Sequence, residues 1–491
     1  MGSPHLTNNR HVLIVIPDWG VVWNAYCIEY ASKLSNLGIE VTILDLSNLN
    51  PLIIKRVIWH FILKLSQKNS LTAIKRKVFK AKHVKYISIS SRDVLKADFE
   101  KETERYAIFL NAMASKYSST TGRRDTQLSE INSEVVELER QFFITTLLLV
   151  LRLQSEYQFS EIITVNGRYI VDGAVVQACK EAQIDCKLIE SASATAGKYT
   201  LYKVSPHDIP TVQEMHLQLW EEAGPDKNAI AEKGLELKML GIESPGTDFR
   251  SNFKETYESK QKPPLSKLAV YFPSSDREFA IFPEFVYQKS FGGSQADAFL
   301  AFCETAKFYN YHVVVRVHPV NSKLPIELQE MYAKVEDSIW SKLCSITGSE
   351  MIASLSKVNS YDLIAKANLC ATYASSISIE CILASKPTLI LGESEISYCA
   401  PEICAFNEVE LRAKFKEGIP IVRKEALYPY GFWLESAGIN LELFDFVSDR
   451  EVYFDSELVN DYRYWAKALL YIRKKLQKWK VSLIPARTNL K

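Results

Sequence analysis

Short apolar runs alternate with amphipathic segments along most of the chain, and this alternation predicts an α/β fold. The first series contains a strand (HVLIVI), a helix that stops at Gly38 and a second strand (EVTILDL), at residues 11–16, 24–37 and 40–46. Strand, helix and strand within about 35 residues form a βαβ unit. The rhythm resumes with a strand, a helix and a strand at 161–165, 171–182 and 186–190.

A second α/β series follows a polar stretch. Residues 243–266 carry three prolines and lack an apolar period, so we place a linker at 246–266. Beyond it, strands are predicted at 267–272, 312–317, 369–373 and 388–391, with helices at 296–309, 360–366 and 377–384. The pattern predicts two doubly wound domains facing each other across a cleft. Their bounds are 1–245, with a helical basic insertion at about 51–157, and 267–455, followed by a C-terminal helix and basic tail at 456–491.

Polar residues suited to binding an anion follow two strands of the second domain. Arg316 and His318 end the first of these strands, on one face because side chains alternate along a strand. Ser375 and Ser376 end the second, and Glu380 follows one helical turn later. Ligands of open parallel sheets bind beyond the carboxyl ends of the strands. These residues therefore predict a phosphate and sugar site, although a serine at a helix start can also serve only as a cap.

A third strand end in the second domain carries hydroxyl groups. The stretch YFPSSDRE places Ser274 and Ser275 directly after a predicted strand. Both side chains could donate to a phosphate or a base. They could equally cap a helix that begins near Arg277.

The first domain offers its own polar strand ends. Asn166 and Arg168 follow one strand, Glu190 ends another, and Asp18 follows the first strand of the chain. A hydroxyl that attacks as a nucleophile needs a carboxylate or histidine to take its proton. Asp18, Asp172 and Glu190 are the candidate bases on this side, with no feature of the sequence that separates them.

Composition excludes several classes of protein. A net charge of +1 gives no overall signal for nucleic-acid binding, and the nine cysteines lack the spacing of a metal site or a disulfide framework. No signal peptide is predicted, and the longest apolar run (FFITTLLLVL) is shorter than the roughly 20 residues that span a bilayer. The chain lacks the phosphate-binding glycine motifs GxxxxGK[ST] and GxGxxG, and no acidic DxD-type triplet follows a strand. We therefore expect neither a cofactor nor a metal.

The segment at 51–85 contains basic residues and no acidic ones, interleaved with apolar side chains that include Trp59. Basic segments with an apolar face bind anionic membrane surfaces. We therefore expect a cytoplasmic protein that can lie peripherally at the inner face of the cell membrane through 51–85. A solvated charged face around an ordinary core stripe is the alternative, and no motif supports a nucleic-acid partner.

The stretches RVHP, SYDLIAKANLCATYASSISIECILASKPTLIL, YFPSSDREF and NGRY resemble bacterial glycosyltransferases of capsule and lipopolysaccharide synthesis that have the GT-B fold. The resemblance covers about 265–400 well and 11–200 weakly, and it omits 51–157. It implies a nucleotide-sugar donor in the second domain and a glycan or lipid-linked acceptor in the first. Arg316 and His318 would contact donor phosphate, Ser375 and Ser376 phosphate or sugar, and Glu380 the ribose.

Three functions fit this resemblance. The first is a glycosyltransferase with Asp18, Glu190 or His318 in catalysis. The second is a nucleotide-sugar 2-epimerase or a CDP-glycerol-type phosphotransferase of similar fold. The third is a non-catalytic GT-B-like binding protein, which Arg316, His318 and Glu380 disfavour because all three are intact.

Overall fold

A computed structural model of the 491-residue chain provides the structure. The residues it describes are 10–17, 21–46, 71–81, 84–88, 105, 108–110, 112–113, 133–192, 197–203, 205–206, 208–239, 255–258, 267–274, 290–319, 326–448 and 451–459.

The first unit is a mixed sheet with helices on both faces. Its strands are β1 (His11–Ile16), β2 (Glu40–Asp45), β3 (Lys85–Ser88), β4 (Glu161–Val165), β5 (Asp185–Ser191) and β6 (Lys198–Tyr202). Its helices are α1 (Val21–Asn36), α2 (Leu71–Ala81), α3 (Ser133–Tyr157), α4 (Ile170–Ala182), α5 (Ile209–Glu221) and α6 (Lys227–Met239). The order β3-β2-β1-β4-β5 is parallel throughout, and β6 joins β5 in the antiparallel direction.

Alternation along β1 explains why this strand is apolar at nearly every position. Val12 and Ile14 pack with α1 on one face of the sheet, whereas Leu13 and Val15 pack with α3 and α4 on the other. All four side chains are fully buried. A strand covered on both faces needs apolar residues on both, which a continuous apolar run supplies.

The second unit is a parallel sheet. Its strands are β7 (Lys267–Phe272), β8 (Tyr311–Arg316), β9 (Glu350–Ile352), β10 (Leu369–Tyr373) and β11 (Thr388–Gly392), in the order β11-β10-β7-β8-β9. The helices of this part of the chain are α7 (Gln295–Phe308), α8 (Ile326–Thr347), α9 (Ser360–Lys366), α10 (Ile377–Leu383), α11 (Glu408–Glu417) and α12 (Tyr428–Ser436), with single 3-10 turns at Phe291–Gly293, Pro401–Ile403 and Lys424–Leu427.

Both units have the same strand order. Numbered within each unit, the parallel strands run 3-2-1-4-5, which is the Rossmann order up to the fifth strand. The order reverses between β1 and β4 in the first unit and between β7 and β10 in the second. The predicted fold class is therefore confirmed: the chain contains two Rossmann-like doubly wound units, the GT-B arrangement.

The chain returns to the first unit after the second sheet. Helix α12 packs against α6 so closely that a Cβ added to Gly234 would lie 2.0 Å from the carbonyl oxygen of Gly431. Strand β12 (Ile439–Asn440) then pairs with β6 in the first sheet. A small antiparallel sheet of β13 (Phe444–Ser448), β14 (Glu451–Phe454) and β15 (Glu457–Leu458) follows, and its Phe444 and Phe454 pack into the core around α1.

The elements depart from the predicted bounds in four places. Strands β12, β13 and β14, inside the predicted second domain at 267–455, pair with or pack against the first unit. Residues 71–88 form α2 and β3 of the first sheet, so this part of the predicted helical insertion belongs to the doubly wound unit itself. Within the predicted linker, Tyr257 is buried against the second unit and its hydroxyl donates to Glu350 Oε2 at 3.0 Å. The predicted C-terminal helix begins with strand β15, and its remainder lies outside the described residues.

The basic segment is partly built into the core. Lys75 is 2% exposed, and its Nζ donates to Asp45 Oδ2 at 2.7 Å, while the Tyr86 hydroxyl donates to the same oxygen. Lys77 pairs with Asp455. Because Lys75 is buried, it cannot contact a membrane; residues 51–70 lie outside the described residues. None of the described helices is long and apolar enough to cross a bilayer.

We expect Lys75→Met to lower the free energy of unfolding by about 3–5 kcal/mol, because it leaves the Asp45 carboxylate buried without its cation. Urea unfolding measures the loss. The control Lys77→Met removes an exposed ion pair on the same helix and should cost less than about 1 kcal/mol. Equal losses in the two variants would contradict the buried pair.

Candidate functional site

The switch point of the second sheet is held together by Ser274. This residue follows β7 and is 5% exposed, and its Oγ donates to the carbonyl oxygen of Tyr373 at the end of β10, at 2.7 Å. Its main chain is bound by Gln295, the first residue of α7: Ser274 N donates to Gln295 Oε1 at 2.9 Å, and Gln295 Nε2 donates to Ser274 O at 3.2 Å. The two strand ends are therefore fixed to one another. The Ser274 hydroxyl thus donates to the main chain and does not cap a helix, and its predicted contact with a phosphate or a base stays a prediction.

The turn after β10 leaves hydroxyl groups at the rim. Ala374 has a φ of +47°, a left-handed conformation that costs free energy outside glycine. Beyond it, Ser375 is half-buried and Ser376 is exposed. Ser376 precedes α10 without a capping hydrogen bond from its side chain. Its hydroxyl is thus not used as the ordinary cap that the sequence allowed.

Glu380 lies in the first turn of α10 and is 7% exposed. A carboxyl on a short helix is usually solvated, and this one is not. Burial of a carboxyl disfavours its charged form unless polar groups reach it. The predicted contact of Glu380 with a ribose stays a prediction.

Arg316 is turned into the protein. It is 1% exposed, and its guanidinium donates to the carbonyl oxygens of Ala353 at 2.7 Å, Ser356 at 3.1 Å and Val317 at 3.2 Å. Burial lowers the pKa of Arg316 to about 10. The guanidinium thus orders the turn after β9. In this conformation its η nitrogens donate hydrogen bonds to main-chain carbonyl oxygens. His318 is half-buried, two residues beyond the end of β8.

Two predicted residues cannot be placed. Asp18 and Ser275 lie outside the described residues, so their predicted roles in catalysis and donor binding stay predictions.

In the first unit, the turn after β4 presents Asn166 and Arg168. Asn166 has a φ of +55° and is 1% exposed, and its Nδ2 donates to Glu190 Oε2. Gly167 follows with a φ of +86°, and a Cβ there would lie 2.8 Å from the Leu188 side chain. Arg168 is half-buried, with its Cζ 5.2 Å from the centre of the Tyr169 ring. The turn brings the predicted residues Asn166, Arg168 and Glu190 together at the ends of β4 and β5.

Glu190 has the environment of a proton acceptor. Desolvation by the surrounding protein raises its pKa, while Asn166, the Ser191 N–H and the charge of Arg168 oppose that rise. The Ser191 N–H donates to Glu190 Oε1 at 3.0 Å. Both carboxyl oxygens are therefore oriented by donors, and the pKa is shifted toward the range in which a general base works at neutral pH.

Asp172 supports this turn from below. It is fully buried in the first turn of α4, and its Oδ2 accepts from Gly167 N at 3.0 Å and Tyr169 N at 3.3 Å. Burial raises the pKa of Asp172 to about 6. Asp172 is therefore already used by the main chain of the turn.

The first unit approaches the loop after β11 of the second unit near Tyr202, the last residue of β6, which pairs with Leu188 in β5. Burial raises the pKa of the Tyr202 hydroxyl, and the charges of Glu395 and Glu190 both add to this rise. Glu395 follows β11 in the second unit, whereas Glu190 ends β5 in the first. In addition, Gln213 Nε2 on α5 donates to the carbonyl oxygen of Ser394 at 2.7 Å. The loop after β11 in the second unit therefore contacts α5 of the first unit and lies near Tyr202.

Two residues of the site were not predicted as part of it. Gln295 binds Ser274, which lies 21 positions earlier in the sequence. Tyr202 is affected by the charge of Glu190, 12 positions earlier, and by that of the more distant Glu395. Gln295 stands directly after the N-cap Ser294, where nothing in the local pattern distinguishes it from an ordinary helix residue.

The described residues contain no group of three or more His, Cys, Asp or Glu side chains that could hold a metal ion. The strand ends of the two units carry the exposed Ser376 hydroxyl, the half-buried imidazole of His318 and the oriented carboxyl of Glu190.

No family model matches this sequence, and no curated protein matches it. Solved structures with detectable similarity include the β-Kdo 2,7 transferase KpsC of Thermosulfurimonas dismutans, at 15% identity and a TM-score of 0.31, covering 57% of this chain and 78% of that one. The UDP-GlcNAc 2-epimerase of Neisseria meningitidis has 13% identity and a TM-score of 0.28, with 88% and 95% covered. A glycosyltransferase of Rickettsia africae has 10% identity and a TM-score of 0.27, with 87% and 94% covered. These values are too low to assign an activity.

We expect Asp172→Asn to remove a pH dependence of stability. The folded-state pKa of Asp172 is raised to about 6, so its contribution is fully present at low pH and is lost as the pH rises through that value. Between pH 4.5 and 7.5 the wild-type protein should lose about 2 kcal/mol of unfolding free energy that the variant retains. The amide oxygen can still accept from Gly167 N.

Urea unfolding at the two pH values measures this difference. Asp185→Asn, at an exposed position at the start of β5, is the matched control and should behave like the wild type. A variant whose stability falls in parallel with the wild type over this range would contradict the buried, pH-sensitive carboxyl.

Proposed function

We propose that this protein is a glycosyltransferase that moves a sugar from a nucleotide-sugar donor in the second unit to a glycan or lipid-linked acceptor in the first. The observation that carries the proposal is the Ser274–Tyr373 hydrogen bond at the switch point of the second sheet, together with the oriented Glu190 carboxyl at the end of β5 in the first sheet. Doubly wound sheets bind their ligands at this reversal of strand order. Polar strand ends in both units suit a reaction between two substrates.

The donor would lie over the ends of β7 and β10. The exposed Ser376 hydroxyl and the half-buried His318 are available there to bind phosphate oxygens. Arg316 would act indirectly in this arrangement, by ordering the turn at 353–356. Glu380 remains the candidate for the ribose hydroxyls.

Glu190 is our candidate general base. The acceptor oxygen would form a bond to the anomeric carbon of the donor while the bond from that carbon to the phosphate oxygen breaks. The hydroxyl proton would move to Glu190, and the nucleotide would leave with the bonding electrons. A base whose pKa is raised toward neutrality is effective in this step. Asp18 and His318 remain the other candidates from the sequence.

The test begins with hydrolysis of CMP-, UDP-, GDP- and dTDP-sugars, in which water replaces the acceptor. We expect one nucleotide class to be hydrolysed slowly. Glu190→Gln should reduce the rate by about 10²–10⁴ without weakening nucleotide binding. The acid limb of the pH–rate profile should disappear in this variant, because the rate of the wild type falls as Glu190 becomes protonated.

Glu156→Gln, which changes a partly exposed carboxyl on α3, is the control and should hydrolyse the donor like the wild type. Conversion of the nucleotide sugar to its 2-epimer without release of nucleotide would favour the epimerase instead. Transfer of a glycerol phosphate group would favour the phosphotransferase. Failure of every nucleotide to bind would leave the non-catalytic binding protein.

We also propose that catalysis needs no metal, because hydroxyls, His318 and main-chain N–H groups can neutralise the leaving phosphate. Turnover should therefore be the same within error after treatment with EDTA and after addition of Mg²⁺ or Mn²⁺. Activity that is lost with EDTA and restored by either ion would contradict this.

Membrane attachment stays a narrower proposal. With Lys75 buried and Lys77 paired, contact with an anionic membrane at the inner face of the cell membrane would depend on the other basic residues of 51–85, which include the exposed Lys80 and Lys85. Salt-sensitive co-sedimentation with anionic vesicles would support it, and a protein that remains in the supernatant at low salt would exclude it.

A further inference from the structure

Three buried polar atoms of the turn between β4 and α4 have no hydrogen-bond partner within the described residues. They are Asn166 Oδ1, Arg168 Nε and Asp172 Oδ1. The other side of two of these groups is engaged, since Asn166 Nδ2 donates to Glu190 and Asp172 Oδ2 accepts from Gly167 N. A buried polar atom without a partner costs about 1–3 kcal/mol, so native structures rarely keep several together. The turn is therefore suited to receive a further polar group.

The hydrogen-bonding chemistry of Asn166 Oδ1 and Arg168 Nε restricts which kind of polar group can bind at this turn. Asn166 Oδ1 can only accept a hydrogen bond, and Arg168 Nε can only donate one. A hydroxyl serves both, because it donates its proton and accepts through its lone pairs. A carboxylate or phosphate could satisfy Arg168 but would set its lone pairs against Asn166 Oδ1.

The local charge points the same way. Burial raises the pKa values of two neighbouring carboxyls, Glu190 and Asp172, and the positive charge of Arg168 opposes this rise at both. One guanidinium therefore faces two acidic groups, and an anionic ligand would be repelled by both. The Tyr169 ring beside the guanidinium adds an uncharged surface on which the face of a sugar ring can pack.

We propose that the first unit binds an uncharged, hydroxyl-rich sugar as the acceptor, with one hydroxyl held by Asn166 Oδ1 and Arg168 Nε and a neighbouring hydroxyl presented to Glu190. This inference rests on the proposed transferase function and names the substrate class of its acceptor side. Asn166 is then the specificity-determining residue, because its Oδ1 needs a group that donates a hydrogen bond, whereas Arg168 Nε contributes affinity for any acceptor.

The experiment uses methyl glycosides of neutral hexoses and of the matching hexuronic acids. Saturation-transfer NMR on the full chain should detect binding of one or more neutral glycosides and weaker or absent binding of the acid partners. Arg168→Lys keeps the charge but removes Nε, and it should raise the Kd of the neutral glycoside about tenfold or more. Arg152→Lys, an exposed arginine on α3, is the control and should leave the Kd unchanged.

Preferential binding of the uronic acids would overturn the inference, as would a neutral-glycoside Kd that is the same in Arg168→Lys and the wild type. If Arg168→Lys fails to fold, the wild-type preference between neutral and acidic glycosides decides alone. Nucleotide-sugar hydrolysis is measured on the same preparations. Hydrolysis that persists while acidic glycosides are preferred would refute the acceptor class and leave the transferase standing; absence of any nucleotide binding would refute the transferase.

Discussion

The candidate site depends on one constraint: main-chain groups at the ends of buried parallel strands must find partners once the ladder stops. Both units satisfy part of this requirement with a side chain from the first turn of the following helix. Asp172 accepts from the turn after β4, and Gln295 binds both the N–H and the carbonyl of Ser274 after β7. These two side chains hold the turns in one conformation, so the groups at each rim are pre-oriented before any substrate arrives. Pre-orientation of this kind reduces the reorganisation that a reaction requires.

The strands that are covered on both faces could be predicted from the sequence, because burial on both sides demands an apolar run. Strands β1, β2, β8 and β10 are of this kind. Strand β3 was assigned to a helical insertion because its residues (KYIS) are only partly buried at the sheet edge, and their pattern carries little signal. Strand β12 has two residues, and its pairing with β6 depends on contacts that span more than 200 positions.

The sequence predicts that polar residues lie at the strand ends, but it does not predict which groups their side chains contact. Asn166 follows β4, and Glu190 lies at the end of the neighbouring parallel strand β5. The strand-end rule therefore predicts that both lie at the same edge of the sheet, where they form a hydrogen bond. Arg316 also stands at a strand end in the sequence, yet its guanidinium donates hydrogen bonds to the turn at 353–356. Strand alternation fixes which face a side chain leaves from, but a long flexible side chain then goes to the acceptors that the rest of the fold supplies. Those acceptors come from a turn about 40 residues further along the chain, which no local pattern contains.

The two units are also joined by contacts outside the strand ends. The chain leaves the second sheet, packs α12 on α6 through Gly234 and Gly431, and adds β12 to the first sheet. At this contact a side chain larger than hydrogen would meet a carbonyl oxygen at 2.0 Å or 2.5 Å, so the helices are as close as their backbones allow. Because packed interiors are nearly incompressible, a displacement of one of these helices is transmitted to the other. The approach of Glu395 and Glu190 to Tyr202 therefore depends in part on the close contact at Gly234 and Gly431. A search for determinants of activity in this chain has to include the helix pair α6–α12 as well as the polar residues of the rims.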